Sequence, residues 1–323
     1  MPRLGFVLGG GGMRGLAHIG ALEVLAEHGI TPAEMVGCSA GSYIGALAAA
    51  DVPPAVMADI ALRIGRDTIL DFDLNGLVLR RSSCPALFKG ERMMKFFRRT
   101  LPIHHFDDLP RPYYVNAVDL HTGLEVQWGT GIPDSPDIPS AVYASCALAG
   151  VFPPLVHGSG AYVDGGVVDS LPLRLFAERP VDAIVAITLE TLTGTSGRRP
   201  ESEGFLAVLG QARLIASHHI LMDRMPFTQG KHVYFIEPKV SRYGLFEFSS
   251  APAVLEEGRR AARAMLEACP ELLRGNVVAD ERVAHGGNGH GNEHRQGNGE
   301  GNGNGHGTGN GNANGLHLIG PAA

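Results

Sequence analysis

No stretch of the sequence approaches the roughly 20 uninterrupted apolar residues that a membrane-spanning helix needs, so no spanning segment is expected. Aromatic side chains are sparse, at 7%, and Trp128 is the single tryptophan. Cysteine is scarcer still. Cys38, Cys84, Cys146 and Cys269 lie far apart, form no CxxC pair and lack the density of a small disulfide-stapled secreted fold, so they read as free thiols. An excess of positive charge is also missing: 27 Lys and Arg stand against 33 Asp and Glu, a formal charge of -6. That balance argues against a chain-wide basic surface able to neutralise phosphates, and hence against nucleic acid as a partner. The opening Met-Pro-Arg runs through Leu4 to Leu8 straight into four glycines, too short and badly flanked for a secretory segment. A cytoplasmic chain, compatible with peripheral attachment to a membrane surface, is the resulting expectation.

What is present is an ordinary globular composition, 44% hydrophobic and 19% charged, over 323 residues, enough to bury a substantial core. The first 50 residues alternate short apolar runs with helical periodicity. A strand at about 4–8, a glycine turn, a helix at about 15–28, a strand at about 35–38 and a helix from Gly41 predict a mostly parallel sheet covered on both faces. In the first helix Leu16, Ile19, Leu22, Leu25 and Ala26 form an apolar stripe. Strands are expected again at 112–118, 124–128 and 181–189, the last apolar enough to be buried on both faces. Helices are expected at 91–99, 140–147 and 205–225.

Composition changes beyond about Asp280 to Gly, Asn and His, which cannot bury enough apolar area to offset the entropy of ordering. A domain over 1–280 followed by a disordered tail over 281–323 is predicted. The tail histidines, His285, His290, His294, His306 and His317, come without other ligand types or fixed spacing, and no metal site is assigned to them.

Three motifs carry chemistry. Gly9 to Gly15 lies between a strand and a helix, where exposed backbone N–H groups can stabilise a phosphate or a developing oxyanion; the same glycines also suit a plain tight turn. Gly37-Cys38-Ser39-Ala40-Gly41 is a G-x-S-x-G at a strand-to-helix junction, the setting in which small neighbours let a turn close sharply and present a serine hydroxyl. Asp164-Gly165-Gly166 follows Ala161-Tyr162-Val163, so a short strand delivers a carboxylate into a glycine turn. Gly10, Gly12 and Gly15 also match a dinucleotide-binding fingerprint, which expects an acid at the end of the second strand. That strand runs into Gly37-Cys38-Ser39 instead. A non-catalytic lipid-binding protein that keeps these motifs as structure is the remaining alternative. The histidine pairs His104-His105 and His218-His219, and His18 beyond the glycine loop, do not fall where a Ser-His-Asp triad is readily read.

The pieces GGGGMRG (9–15), GCSAG (37–41), AVDLHTG (117–123), ASCALAGVFPP (144–154) and DGGVVDSLP (164–172) resemble, in sequence and order, the patatin-like phospholipase family, in particular its bacterial single-domain members. The likeness covers about 3–190 and fades toward 270. It implies a three-layer α/β/α sandwich with a mostly parallel central sheet and a lipid acyl hydrolase needing no metal or other cofactor. Ser39 would be the nucleophile and Asp164 its proton acceptor, with Gly10, Gly11, Gly12, Met13, Arg14 and Gly15 forming the oxyanion hole. Gly37, Cys38, Ala40 and Gly41 would shape the nucleophile elbow, and Gly165 and Gly166 the acid turn. Arg14 either helps fix the glycine loop or attracts an anionic head group, or it is simply a solvent-facing residue at the helix start. This chain departs from the family in carrying Ala149-Gly150 where members often have proline before the glycine. The implied partner is an acyl-ester lipid. Independently of the resemblance, the basic stretch Lys89 to Arg99, where Met93, Met94, Phe96 and Phe97 alternate with cations, and the apolar helix at about 205–225 suit either transient membrane contact or ordinary helix packing with a solvated charged face. The oligomeric state and the natural ester stay open.

Overall fold

A computed structural model describes residues 2–73, 85–189, 200–224 and 230–275. The tail read at 281–323, its histidines and Cys84 lie outside the described residues. The strands are β1 (Leu4–Leu8), β2 (Glu34–Gly37), β3 (Tyr113–Asp119), β4 (Glu125–Gly129), β5 (Leu155–His157), β6 (Gly160–Asp164), β7 (Ala183–Ile187) and β8 (His232–Ile236). They form one mixed sheet in the order β5-β6-β3-β2-β1-β7-β8, with β4 paired to β3. The pairs joining β3, β2, β1, β7 and β8 are parallel, while β4, β5 and β6 add antiparallel pairings.

Alternation along the strands divides the core into two faces, because successive side chains point to opposite sides of a sheet. Leu4, Phe6, Leu8, Met35, Tyr113, Val115, Val185 and Ile187 belong to the larger cluster. It is completed by α1 (Ala17–Glu27), α2 (Ala40–Ala49), α5 (Glu91–Thr100), α6 (Ile138–Cys146) and α9 (Ala251–Ala268). Val7, Val36, Tyr114, Ile184 and Ala186 face the other way, against Leu171, Leu173, Phe176 and Val181 around a short 3-10 helix at Leu173–Phe176. The protein is therefore a three-layer α/β/α arrangement on a mostly parallel sheet, as expected, with a thin second layer among the described residues. The remaining helices are α3 (Pro54–Leu62), α4 (Arg66–Ile69), α7 (Pro200–Glu203), α8 (Phe205–Arg224) and α10 (Pro270–Leu273).

Two local readings are corrected. The first helix opens with a 3-10 turn at Gly12–Leu16, and α1 is buried on nearly all sides instead of along one stripe, because α9 packs on the side away from the sheet. Ala26, placed in the stripe, is exposed. The sequence reading also missed β5, β8, α3 and α9.

Candidate active site

Pairing along β3 brings the elbow and the acid together. A strand has two edges, and β4 occupies one of them from Tyr114 to Val118. Both β2 and β6 must therefore share the other edge: Gly37 of β2 pairs with Val115, and Asp164 of β6 pairs with Ala117. The antiparallel β6 thus ends where the parallel β2 stops. A chain leaving β2 at Gly37 meets the end of β6 two residues later, and the residue there is Ser39.

Ser39 sits between β2 and α2 with φ 51 and ψ -126, a left-handed conformation uncommon outside glycine that costs a non-glycine residue about 1–3 kcal/mol. Its surroundings hold it there. The Ser39 amide donates to Ser145 Oγ at 2.8 Å, and the Ser39 carbonyl accepts from Ser42 Oγ at 2.6 Å and the Ser42 amide at 2.8 Å. A Cβ on Gly37 would collide with the backbone of Gly41, and one on Gly41 with the Leu8 carbonyl, so the turn closes only on glycine at these positions. The result aims the Ser39 hydroxyl at Asp164, with Oγ donating to Oδ2 at 2.8 Å; both side chains are buried.

Asp164 is fixed by its own turn: its second oxygen, Oδ1, accepts from the Gly166 amide at 2.8 Å and lies 3.9 Å from Cys38 Sγ, while its amide donates to the Ala147 carbonyl at 3.0 Å. Beside the pair, burial and then the Asp164 charge push the Cys146 thiol well above its usual range, which keeps it protonated and a poor nucleophile.

The glycine loop is divided by its hydrogen bonds. The Gly9 and Gly10 amides donate to the Ile187 and Ser170 carbonyls at 3.0 and 2.9 Å, and the Met13 amide to the Leu245 carbonyl at 2.9 Å. The Gly11 and Gly12 amides have no acceptor among the described residues. Of the six loop residues named from the sequence, these two have uncommitted amides where the 3-10 turn starts. Arg14 is buried, and its Nε donates to the Tyr243 carbonyl at 2.9 Å, so the side chain ties the loop to the 243–248 segment instead of facing solvent.

The histidines go elsewhere. His18 is fully buried with Nε2 2.8 Å from the Gly9 carbonyl, and His157 Nε2 lies 3.1 Å from the Asp134 carbonyl, while the rings of His218 and His219 contact each other. Burial holds the His18 pKa down to about 4 from 6.5, with the Gly9 bond opposing it. The unfolded chain therefore binds more protons than the folded one between these values, so stability falls as pH drops from 6.5 toward 4. The linked loss reaches about 3 kcal/mol at the acid end. A His18→Gln protein, which keeps an Nε2 donor near Gly9, is expected to show a shallower decline of its thermal midpoint over this window. Parallel curves for the two proteins would contradict the assignment.

Above Ser39 opens a cleft with about 850 Å³ of empty space, part of it open solvent. Ile64, Ile69, Met93, Phe96, Phe97 and Phe248 form much of its wall; Asp164 is the one carboxylate and no histidine appears among the described lining residues. No group of three or more His, Cys, Asp or Glu suited to a metal ion occurs among the described residues. Sequence reading missed Ser145, Leu245 and Tyr243, whose contributions are one hydroxyl and two carbonyls and leave no motif.

The site is thus a buried serine on a strained strand-to-helix elbow, bonded to a strand-end carboxylate beside a glycine loop, in an α/β protein. The family model for patatin-like phospholipase matches residues 6–177, and the chain belongs to that family. It is 29% identical over 298 residues to an uncharacterised NTE family protein of Mycobacterium tuberculosis, covering 84% of this chain and 48% of that protein. It is also 30% identical over 201 residues to the lysophospholipase NTE1 of Cryptococcus neoformans, covering 61% of this chain and 12% of that one. The chain thus spans about half the length of the first of these relatives and far less of the second. Among solved structures, it is similar to VipD from Legionella pneumophila at 14% identity and TM-score 0.46, covering 83% of this chain and 67% of VipD.

Proposed function

We propose that this chain hydrolyses carboxylic acyl esters of lipids through a Ser39/Asp164 dyad and an acyl-enzyme. The observation that carries the reading is the 2.8 Å bond from Ser39 Oγ to Asp164 Oδ2 at the base of an apolar cleft. A serine hydroxyl needs an adjacent base to become a useful nucleophile, and the carboxylate is the group within reach. Ser39 Oγ attacks the ester carbonyl while its proton passes to Asp164. The carbonyl oxygen becomes an oxyanion and receives the Gly11 and Gly12 amides, with the positive end of α2 beside the reacting oxygen. Collapse of this intermediate transfers the Asp164 proton to the leaving alcohol and leaves the acyl group on Ser39. Water, deprotonated by the same carboxylate, then releases the fatty acid. Met93, Phe96, Phe97 and Phe248 would sequester the acyl chain. The family and the lysophospholipase name of one relative support a lipid ester over a small polar one. The activity is assigned to residues 1–280, with 281–323 as a separate tail.

A fluorophosphonate should label Ser39, because an activated serine attacks phosphorus as it attacks a carbonyl. Peptide mapping of the labelled protein should find the adduct on the segment holding Ser39 and none in Ser39→Ala. An adduct on another serine would refute the elbow assignment, whereas no labelling alongside no turnover of short- and long-chain esters would favour the non-catalytic lipid-binding alternative.

A further inference from the structure

Residues 62–100 hold nine of the 27 basic side chains but four of the 33 acidic ones, in a chain whose formal charge is -6. Structure concentrates much of this charge on one side of α5. Met93 and Phe97, one turn apart, are buried, and with Phe96 they line the acyl cleft; Arg92, Lys95 and Arg99 are exposed on the opposite side. Arg92 is engaged by the Asp67 and Leu70 carbonyls and Arg98 by Asp137 at 2.9 Å. Lys89, Lys95, Arg99, Arg63 and Arg66 have no acidic partner among the described residues. Two large apolar side chains stand out on the same stretch, Leu62 at 52% and Phe72 at 57% exposure. Ile64 and Ile69, between and beside them, reach into the cleft. The 62–100 stretch therefore lends an apolar lining to the cleft and also exposes cations and two large hydrophobic groups.

We infer that the α3–α5 edge is a docking surface for an anionic lipid bilayer. Lys95 and Arg99 meet head groups there, and Leu62 and Phe72 enter the interface. Charge complementarity selects this occupant: a negatively charged leaflet attracts unpaired cations, and the adjacent apolar groups gain by leaving water. The inference rests on the lipid acyl hydrolase reading, to which it adds the place where substrate leaves the membrane.

The test uses the full-length Ser39→Ala protein, so that adsorption is read without chemistry, and vesicles of phosphatidylcholine or of an equal mixture with phosphatidylglycerol. Partitioning is expected to favour the anionic vesicles and to weaken as salt is raised. Adding Lys95→Gln and Arg99→Gln should lower it about thirtyfold, since each cation near a charged leaflet contributes about a factor of five. An unchanged thermal midpoint verifies that the variant folds. Equal binding to both vesicle types, or equal binding by parent and variant, would overturn the inference. So would parent protein that sediments as a dimer and becomes monomeric with the two glutamines, which would put a second copy on this surface. Failure of the hydrolase reading would show separately, as wild-type protein that turns over no ester.

Discussion

Asp164→Asn is expected to lower ester turnover by about a thousandfold or more while leaving a folded protein. The substitution is nearly isosteric. The asparagine oxygen can keep accepting the Gly166 amide, which Asp164 Oδ1 accepts at 2.8 Å, so the turn after β6 keeps its lock. On the Ser39 side the chemistry reverses: Oδ2, which accepts the hydroxyl proton, is replaced by an NH2 that can only donate. Ser39 Oγ must then accept, spending the lone pair it needs for attack, and no group remains to take its proton. Circular dichroism and thermal melting should match wild type within a few degrees, while kcat falls toward that of Ser39→Ala. A folded Asp164→Asn protein that keeps most of its turnover would remove Asp164 as the base. That conclusion would be sealed by a histidine variant, such as His18→Ala, that stays folded and is as inactive as Ser39→Ala.

The pair at the centre of this argument was legible in sequence because each half is local. Gly37 to Gly41 and Asp164 to Gly166 announce sharp turns at strand ends through small residues within five positions. Their meeting was implied by the family resemblance and was not legible in the residues themselves. It follows from β4 occupying one edge of β3, which forces β2 and β6 to divide the other, a matter of register between strands more than 100 residues apart. The same limit explains the glycine loop. Its identity as a strand-to-helix turn is written in Gly9 to Gly15, yet which amides are free depends on Ser170 and Leu245 carbonyls far along the chain. Helix α9 escaped notice because residues 251–268 mix Ala, Glu and Arg with few large apolar groups. It nonetheless packs closely on α1, and in doing so buries the face of α1 that a single-stripe reading would leave in water. Whether Arg14 fixes the loop or faces solvent stayed open in the sequence for a similar reason: its partner, the Tyr243 carbonyl, has no side-chain identity to read.

Gly12→Ala is expected to lower kcat/KM about a hundredfold; the positive φ costs about 1–2 kcal/mol of stability, and the contact of the added Cβ with backbone adds to it. Gly12 has φ 59, where any Cβ is strained, and an alanine Cβ would lie 2.5 Å from the Leu245 carbonyl oxygen and 3.2 Å from its carbon. That carbonyl cannot yield freely, because it accepts the Met13 amide at 2.9 Å and neighbours the Tyr243 carbonyl held by Arg14. Relief therefore comes from rotating the peptide at Gly12 or displacing the 243–248 segment, and either redirects the Gly11 and Gly12 amides proposed as oxyanion donors. A lost oxyanion donor costs about 100- to 1000-fold in rate, more than the fold loses from one strained residue. Gly29→Ala is the matched control: it too has a positive φ, 70, but nothing lies within 4 Å of the added Cβ, and it sits beyond the far end of α1. It should cost only the strain of the positive φ, less than Gly12→Ala, and leave turnover unchanged. If both alanines lower the melting temperature and neither slows the reaction, the glycine loop is a turn and the oxyanion is stabilised elsewhere.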